Sequence, residues 1–169
     1  MKIELKKWSL DDKKSLCEVC SQVDRTYLSN RLPSPYTEDS AAWWLNMACE
    51  QEGHSGIFRS INVDGKIVGN ISVEQKSDVY QKDAEIGYLL TTENWSRGIM
   101  TEAVRQICDI AFAKLDIIRI TALVYEPNTA SRKVLLKNQF VLEGIMKRAV
   151  WKDGHIYDLC VYGRLKDPL

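Results

Sequence analysis

Apolar and polar positions along the chain form patterns that predict seven strands. Residues 2–8 alternate in polarity, as expected for a strand with one buried face. The extended runs 57–63 and 66–76 flank an Asp64-Gly65 pair, which is a strong signal for a tight hairpin. The other predicted strands are 85–90, 117–124, 141–151 and 156–164.

Four further segments repeat apolar residues every three or four positions, the spacing of an amphipathic helix. Ser9 followed by Asp12 has the spacing of a capping box. Thr37 or Asp39 can begin the second helix, and Asn128 is placed to cap the last one. The predicted helices are 9–23, 37–52, 101–115 and 129–137.

This order of elements predicts a single α/β or α+β domain, 1–169, built on a mixed sheet. The strand–helix–strand unit over 85–124 should be a right-handed crossover between parallel strands. Because ligands of such units lie at the carboxyl ends of the strands, we expect the functional site there.

Composition narrows the class of protein. The 169 residues suit one domain with a core of its own. The 23 basic and 23 acidic side chains balance, which argues against a general nucleic-acid grip. No apolar run approaches the roughly 18 residues of a membrane span, and the first residues lack the apolar core of a signal peptide. We therefore expect a cytoplasmic protein whose partners include neither nucleic acid nor a membrane.

Five cysteines are scattered along the chain, and only Cys17 and Cys20 have a spacing that suits a metal. No second pair or neighbouring histidine accompanies them. We expect reduced thiols in the core or on the surface, and no bound metal.

The segment 95–103 joins an apolar run, 84–90, to the predicted helix 101–115, with Gly98 in the turn. The first turn of a helix has unpaired N–H groups and a partial positive charge, and a glycine allows an anion to approach the backbone. The spacing matches neither a Walker A loop nor a dinucleotide fingerprint. Two interpretations remain: a cradle for an anion that belongs to a cofactor, or a turn that needs glycine for steric reasons.

Several short motifs strengthen the first interpretation. The motif Gln/Arg-x-x-Gly-x-Gly/Ala falls on the turn and matches strictly at Gly98. Trp95 replaces its first residue, and Met100 replaces its last small one. Three further segments match motifs that accompany this one in the same protein family. They are Thr101-Glu102-Ala103, the earlier Glu85-Ile86-Gly87-Tyr88, and Pro33-Ser34-Pro35-Tyr36-Thr37 before the second helix.

A second block runs from Pro127 to Phe140 and contains the spacing Asn128-x-x-Ser131. With these motifs the chain resembles the GNAT acetyltransferases, which bind acetyl-coenzyme A, and within them the RimJ/RimL-type ribosomal-protein N-terminal acetyltransferases. Two positions depart from the family. Gln139 stands where glycine is usual, and Leu135 stands where other branches have a catalytic tyrosine.

The resemblance implies the GNAT fold: a single mixed, mostly antiparallel twisted sheet of about seven strands with about four helices and a central parallel crossover. It also implies acetyl-coenzyme A (acetyl-CoA) as co-substrate and no metal. The strand residues would pair with pantetheine, the turn would hold the pyrophosphate, and the second block would add hydrogen bonds. The implied cofactor-binding residues are Tyr88, Leu89, Leu90, Ser96, Arg97, Gly98, Ile99, Met100, Thr101, Asn128 and Ser131.

Acetyl transfer to an amine suggests two catalytic residues. Glu85 is the candidate base, acting through a water, and its alternative is a solvent-facing strand carboxylate. Ser131 is the candidate hydrogen-bond donor to the departing thiolate, and its alternative is a surface helical serine. A backbone N–H near Tyr88 or Leu89 would stabilise the carbonyl oxygen.

The acceptor site should be walled by the first two helices and the last hairpin. Asp158 could pair with a cationic amine, or be an ordinary hairpin residue, and an exposed loop position is the better interpretation of His155. The substrate-site candidates are Tyr36, Trp44, Trp151 and Asp158, with His155 and Tyr157 beside them.

The sequence is compatible with three functions. The first is acetylation of a protein N-terminal α-amine, and the second is acetylation of a small amine such as a polyamine, an aminoglycoside or an amino acid. The third is a non-catalytic module that binds coenzyme A, which the departures at Met100, Leu135 and Gln139 favour. A homodimer is the assembly that the family suggests.

Overall fold

The computed structural model describes residues 1–167, which form seven strands and four α-helices. The strands are β1 (Ile3–Lys7), β2 (Gly56–Val63), β3 (Lys66–Gln75), β4 (Asp83–Leu90), β5 (Arg119–Tyr125), β6 (Val141–Lys152) and β7 (His155–Leu165). The α-helices are α1 (Lys13–Ser21), α2 (Glu38–Gln51), α3 (Ile99–Lys114) and α4 (Thr129–Lys137).

All seven strands belong to one sheet with the order β1-β2-β3-β4-β5-β7-β6. Each neighbouring pair is antiparallel except β4 and β5, which are parallel and connected through α3. The prediction of a mixed, mostly antiparallel sheet with a central parallel crossover is confirmed.

Helices cover both faces of the sheet around β2, which is buried along its whole length. Successive side chains of a strand point to opposite faces. Ile57 and Ile61 accordingly pack in the core with α3, whereas Phe58 packs in a second core with α1 and α2. This arrangement explains why every residue of β2 is buried, including the polar Arg59, Ser60 and Asn62.

The sheet is split at its centre. β4 pairs with β5 only over Asp83–Glu85, opposite Arg119–Thr121. Beyond that point β4 continues to pair with β3 as far as Leu90, and β5 continues to pair with β7 as far as Tyr125. Each strand follows its outer partner, so a wedge-shaped gap opens between their carboxyl ends.

Among the element boundaries that differ from the prediction, three concern the start of a helix or the length of a turn. Ser9 and Asp12 do form a capping box, but it closes a short 3-10 turn, and α1 starts only at Lys13. α3 starts at Ile99, two residues before the expected start, so the turn motif supplies the first turn of the helix. The last hairpin turns on Asp153 and Gly154 alone, because the flanking strands reach further into the expected loop.

No helix within residues 1–167 has both the length and the apolar character needed to cross a membrane.

Candidate active site

Glu85 lies where the two central strands separate, since it is the last β4 residue that pairs with β5. Its register partners are Glu74 on β3 and Thr121 on β5. Burial raises the pKa of the Glu85 carboxyl, while the positive charges of Lys76 and Arg31 act in the opposite direction. A carboxylate with a raised pKa at the apex of a cleft is suited to accept a proton.

Asp83 shares a face of β4 with Glu85 but is fully engaged. Its carboxylate accepts hydrogen bonds from Thr121 at 2.8 and 2.9 Å and from Lys76 at 2.6 Å. Arg119 lies 3.4 Å away and also bonds to Glu143 at 2.6 Å. Within residues 1–167 no such hydrogen bonds occupy the Glu85 carboxylate, which leaves Glu85 as the available base of the two.

Tyr88 and Ser131 meet across the gap, although they are 43 residues apart in the chain. The Tyr88 hydroxyl lies 2.6 Å from Ser131 Oγ. Burial raises the pKa of Tyr88 to about 12. The sequence motif drew attention to the Tyr88 backbone only, so its hydroxyl was missed. The three-residue spacing from Glu85 could have shown that the two side chains lie on opposite faces of β4.

Asn128 places Ser131 at the start of α4. Its side-chain oxygen accepts a hydrogen bond from the Ser131 backbone nitrogen at 3.3 Å, which is the N-cap bond that the sequence allowed. The cap fixes the first turn of α4. Among the described residues the Asn128 amide nitrogen has no hydrogen-bond partner, so it can donate to a ligand.

The turn before α3 is shaped as an anion cradle. Ser96 and Gly98 adopt left-handed backbone conformations, with φ of 58° and 76°. Gly98 is the N-cap of α3, and no side chain within residues 1–167 caps this helix end. A Cβ built on Gly98 would meet nothing within 4 Å, so the space beside the backbone is open. Open space at the N-terminus of a 16-residue helix fits a diphosphate.

Side chains of the turn are held away from that space. Trp95 donates its indole N–H to the Leu90 carbonyl at 3.0 Å, and Arg97 donates to the Asn94 side chain at 2.8 Å. Met100 is partly buried and packs against the core, so this departure from the family motif does not fill the cradle.

Asn138 connects the two helices that border the cleft. The sequence gives no indication of this role beyond the presence of an isolated polar residue before Phe140. The side chain is buried and donates to the carbonyls of Thr101 in α3 and Val134 in α4, at 3.1 and 2.9 Å. It therefore anchors the first turn of α3 to the end of α4.

The four substrate-site candidates do not form one cluster. Trp44 packs edge-on against Trp8 and Phe58 in the core under α2, with ring centroids 5.8 and 6.0 Å apart. Tyr36 packs in the same core, and burial raises the pKa of its hydroxyl.

The other two candidates lie on the last hairpin, where Trp151 is 79% exposed. Asp158 is held by the backbone nitrogen of Arg148 at 2.8 Å and by Lys147 at 3.2 Å.

An aromatic cluster lies instead at the carboxyl end of β5. Tyr125 and Tyr157 stack with centroids 5.8 Å apart, and Tyr27 meets both rings edge-on at 6.4 and 6.0 Å. His155 stacks on Tyr157 at 6.1 Å. The sequence analysis did not identify Tyr27 and Tyr125 as candidates, although Tyr125 directly follows a predicted apolar strand.

Lys152 donates to the carbonyls of Arg25 and Leu28, which ties the loop before α2 to this end of the sheet.

The cysteines in the core are poorly reactive thiols because they are buried. Cys20 and Cys108 are buried, and burial raises their pKa values to about 11 and 12. Among residues 1–167 no group of three or more His, Cys, Asp or Glu side chains could hold a metal ion.

Comparisons with known proteins agree with this geometry. The family profile for the acetyltransferase (GNAT) domain matches residues 2–141. The probable N-acetyltransferase YjcK of Bacillus subtilis is 38% identical over 112 residues, which are 63% of this chain and 61% of YjcK. The ribosomal-protein-serine acetyltransferase of Escherichia coli is 28% identical over 122 residues, 72% of this chain and 67% of that protein.

The chain spans only part of the first curated relatives that it matches, 56% of YoaA and 61% of YjcK, both from B. subtilis. Among solved structures, RimL, a ribosomal L7/L12 alpha-N-protein acetyltransferase in complex with coenzyme A, superposes with a TM-score of 0.87. That superposition covers 99% of this chain and 96% of RimL at 21% identity, so it shows a shared fold. A split mixed sheet, an open turn before α3 and a profile match over most of the chain together place this protein in the GNAT acetyltransferase family.

Proposed function

We propose that the protein transfers an acetyl group from acetyl-CoA to a primary amine, and that the amine is the α-amine of a polypeptide N-terminus. One observation carries the proposal: the gap between β4 and β5 ends at Glu85, has Ser131 on its flank, and opens outward to the N-terminus of α3. A base, a hydroxyl donor and an anion cradle thus border a single cleft.

The residues of the cleft suit the two ends of acetyl-CoA. The backbone of Tyr88, Leu89 and Leu90 forms the free edge of β4, where pantetheine would pair as an added strand does. The amides from Ser96 to Thr101 would hold the pyrophosphate. Arg97, whose side chain bonds to Asn94, would add a positive charge without a direct contact. Asn128 would donate to pantetheine through its side-chain nitrogen while its oxygen caps α4. When bound, acetyl-CoA supplies an acetyl group activated as a thioester.

Glu85 would take a proton from the acceptor amine through a water molecule, so that the nitrogen can attack. A backbone N–H near Tyr88 or Leu89 would donate to the carbonyl oxygen as it gains charge, an effect worth roughly 2.7–4 kcal/mol for a preorganised donor. Ser131 would donate a hydrogen bond to the sulfur that leaves.

The choice of an α-amine rests on the strength of base that the cleft offers. An α-amine has a pKa near 8, so its neutral form costs about 1.4 kcal/mol at pH 7, whereas a lysine amine costs about 4.6 kcal/mol. A single glutamate that acts through water is suited to the smaller of these two free-energy costs, which is that of the α-amine. The names of two similar proteins, RimL and the E. coli ribosomal-protein-serine acetyltransferase, support the same class of acceptor.

A panel of acceptors tests the proposal. Peptides with a free N-terminus and an internal lysine, the same peptides blocked at the N-terminus, polyamines and aminoglycosides are each incubated with acetyl-CoA. Thiol release and mass spectrometry report the transfer and its position. We expect acetylation at the free N-terminus and none on the blocked peptides. Transfer only to lysine or to small amines would overturn the α-amine assignment, and cofactor binding without transfer to any amine would support a non-catalytic module.

A further inference from the structure

We propose that Tyr88 is a positioning residue that directs the Ser131 hydroxyl towards the thioester sulfur. This inference rests on the proposed function and adds to it a second hydroxyl, supplied by β4 rather than by α4. The observation behind it is the 2.6 Å contact between the Tyr88 hydroxyl and Ser131 Oγ across the gap.

The contact is part of a built arrangement. Tyr88 lies three residues after Glu85 on β4, so its ring projects from the opposite face of the strand. It packs against the main core, which fixes the ring. Ser131 is fixed on its own side, because its backbone nitrogen donates to Asn128. Two anchored side chains therefore meet beside the gap, with Glu85 on the other face of β4.

The direction of the hydrogen bond decides what Ser131 can do. A serine hydroxyl has one proton and can donate only one hydrogen bond. A phenol is more acidic than an aliphatic hydroxyl and is therefore the better donor. When Tyr88 donates to Ser131 Oγ, the serine proton remains available for a further acceptor. Within this cleft that acceptor is the thioester sulfur.

The atoms balance without another reactant. The amine, made neutral by loss of one proton to Glu85 through water, forms a bond to the acetyl carbon, and its second proton passes to solvent. The bond between that carbon and sulfur breaks, and its electron pair goes to sulfur. Ser131 donates a hydrogen bond to the sulfur as this charge develops, and Tyr88 donates to Ser131. The thiolate takes a proton from solvent after release.

Hydrogen bonding, rather than proton transfer, is the role that the acidities allow. Burial raises the pKa of Tyr88 to about 12. A thiol has a pKa near 8.5, well below this raised value, so a proton is held more tightly on Tyr88 than on the leaving thiol. The Tyr88–Ser131 pair therefore stabilises the thiolate without losing a proton to it.

The variant Tyr88→Phe tests this role because it removes one oxygen and keeps the ring. We expect kcat to fall at least fivefold, with the affinity for coenzyme A by calorimetry unchanged within twofold. The matched control is Tyr162→Phe. The Tyr162 hydroxyl also bonds to α4, through Arg132 Nε at 2.8 Å, so this variant also removes a tyrosine hydroxyl bonded to the helix. It should keep kcat within twofold. An equal loss of kcat in both variants would mean that the effect comes from a displaced helix, and would overturn the proposal.

A double-mutant cycle provides the second measurement. If Tyr88 acts through Ser131, then Ser131→Ala should lower kcat and the double variant should be no slower than Ser131→Ala alone, because the two residues act as a unit. Multiplicative losses would show that Tyr88 acts independently of Ser131. The pH profile should keep its acidic limb in Tyr88→Phe, since Glu85 is intact.

The outcomes separate this inference from the proposed function. An unchanged kcat in Tyr88→Phe, in a protein that acetylates peptide N-termini, removes the role of Tyr88 and leaves the activity standing. A wild-type protein that binds coenzyme A but acetylates no amine removes the proposed function itself. In that case the double-mutant cycle of Tyr88→Phe and Ser131→Ala is measured on the affinity for coenzyme A instead of kcat. A coupling free energy between the two variants in binding would contradict a role that is confined to the leaving group.

Discussion

Asn138 donates a hydrogen bond of 3.1 Å to the carbonyl of Thr101, and so joins the end of α4 to the first turn of α3. The same side chain also donates to the carbonyl of Val134 at 2.9 Å. Because α3 carries the anion cradle and α4 carries Ser131, this buried amide sets the distance between the two halves of the candidate cleft.

Asn138→Ala should therefore affect stability and cofactor binding together. Removal of a buried side chain with two hydrogen bonds is expected to lower the free energy of unfolding by about 1–3 kcal/mol. The affinity for coenzyme A should also fall, because the cradle loses its attachment to α4. Chemical denaturation and calorimetry provide the two measurements. A stability loss without any change in affinity would show that α3 is positioned by its other contacts.

Gln139→Gly should stabilise the protein. Gln139 has a φ of 66°, a left-handed conformation that costs a residue with a Cβ about 1–2 kcal/mol. Glycine removes this strain but loses more backbone entropy on folding, so a net gain of about 0.5–1 kcal/mol is expected. Gln139→Asn should give a smaller gain, since asparagine tolerates this conformation. Thermal denaturation of the wild type and the two variants measures these differences in stability. A glycine variant that is less stable than the wild type would contradict the prediction.

Gly98→Ala should weaken coenzyme A binding about tenfold or more, because a Cβ would project beside the backbone amides of the cradle. Gly53→Ala is the matched control. Gly53 and Gly98 both have positive φ, of 80° and 76°, and both lack neighbours within 4 Å of a built Cβ. Backbone strain should therefore lower stability by a similar amount, about 1–2 kcal/mol, in both variants. Equal loss of affinity in the two would remove the case for a cradle at Gly98.

The activity should have an acidic limb that belongs to Glu85. Burial raises the pKa of this carboxyl, and only its ionised form can accept a proton, so kcat/KM should fall as the pH drops through that raised value. Glu85→Gln should lower kcat at least tenfold and remove the limb. The exposed Glu50→Gln should leave the profile unchanged. An acidic limb that persists in Glu85→Gln would assign the base elsewhere.

Glu85 should also reduce stability at neutral pH. A carboxyl whose pKa is raised by folding binds its proton more tightly in the folded state, so its ionised form opposes folding above that pKa. Glu85→Gln is therefore expected to raise the melting temperature at pH 7. The difference should shrink as the pH falls through the raised folded-state pKa towards the unfolded value of about 4.3. A difference that grows in acid would contradict this sign.

Features that depend on residues close together in the chain follow from the amino-acid sequence alone. The Asp64-Gly65 hairpin, the Thr37 cap and the Asn128 cap are local, because turn dihedrals and first-turn N–H groups are satisfied within a few residues. Hydrophobic periodicity likewise specified the order of strands and helices, and the motif around Gly98 predicts an anion site at the turn before α3.

Contacts between side chains that are distant in the chain depend on how the elements pack. Tyr88 and Ser131 come together because β4 leaves β5 after Glu85 and α4 packs at the resulting gap, a consequence of the order of strands in the sheet. Packing similarly placed Trp44 in the core, and it assembled Tyr27 and Tyr125 at the end of β5. Local sequence patterns determine the hydrophobic period and the backbone dihedral angles of each element. Contacts across the cleft depend on how complete helices and strands pack together, and no short segment of the sequence contains that information.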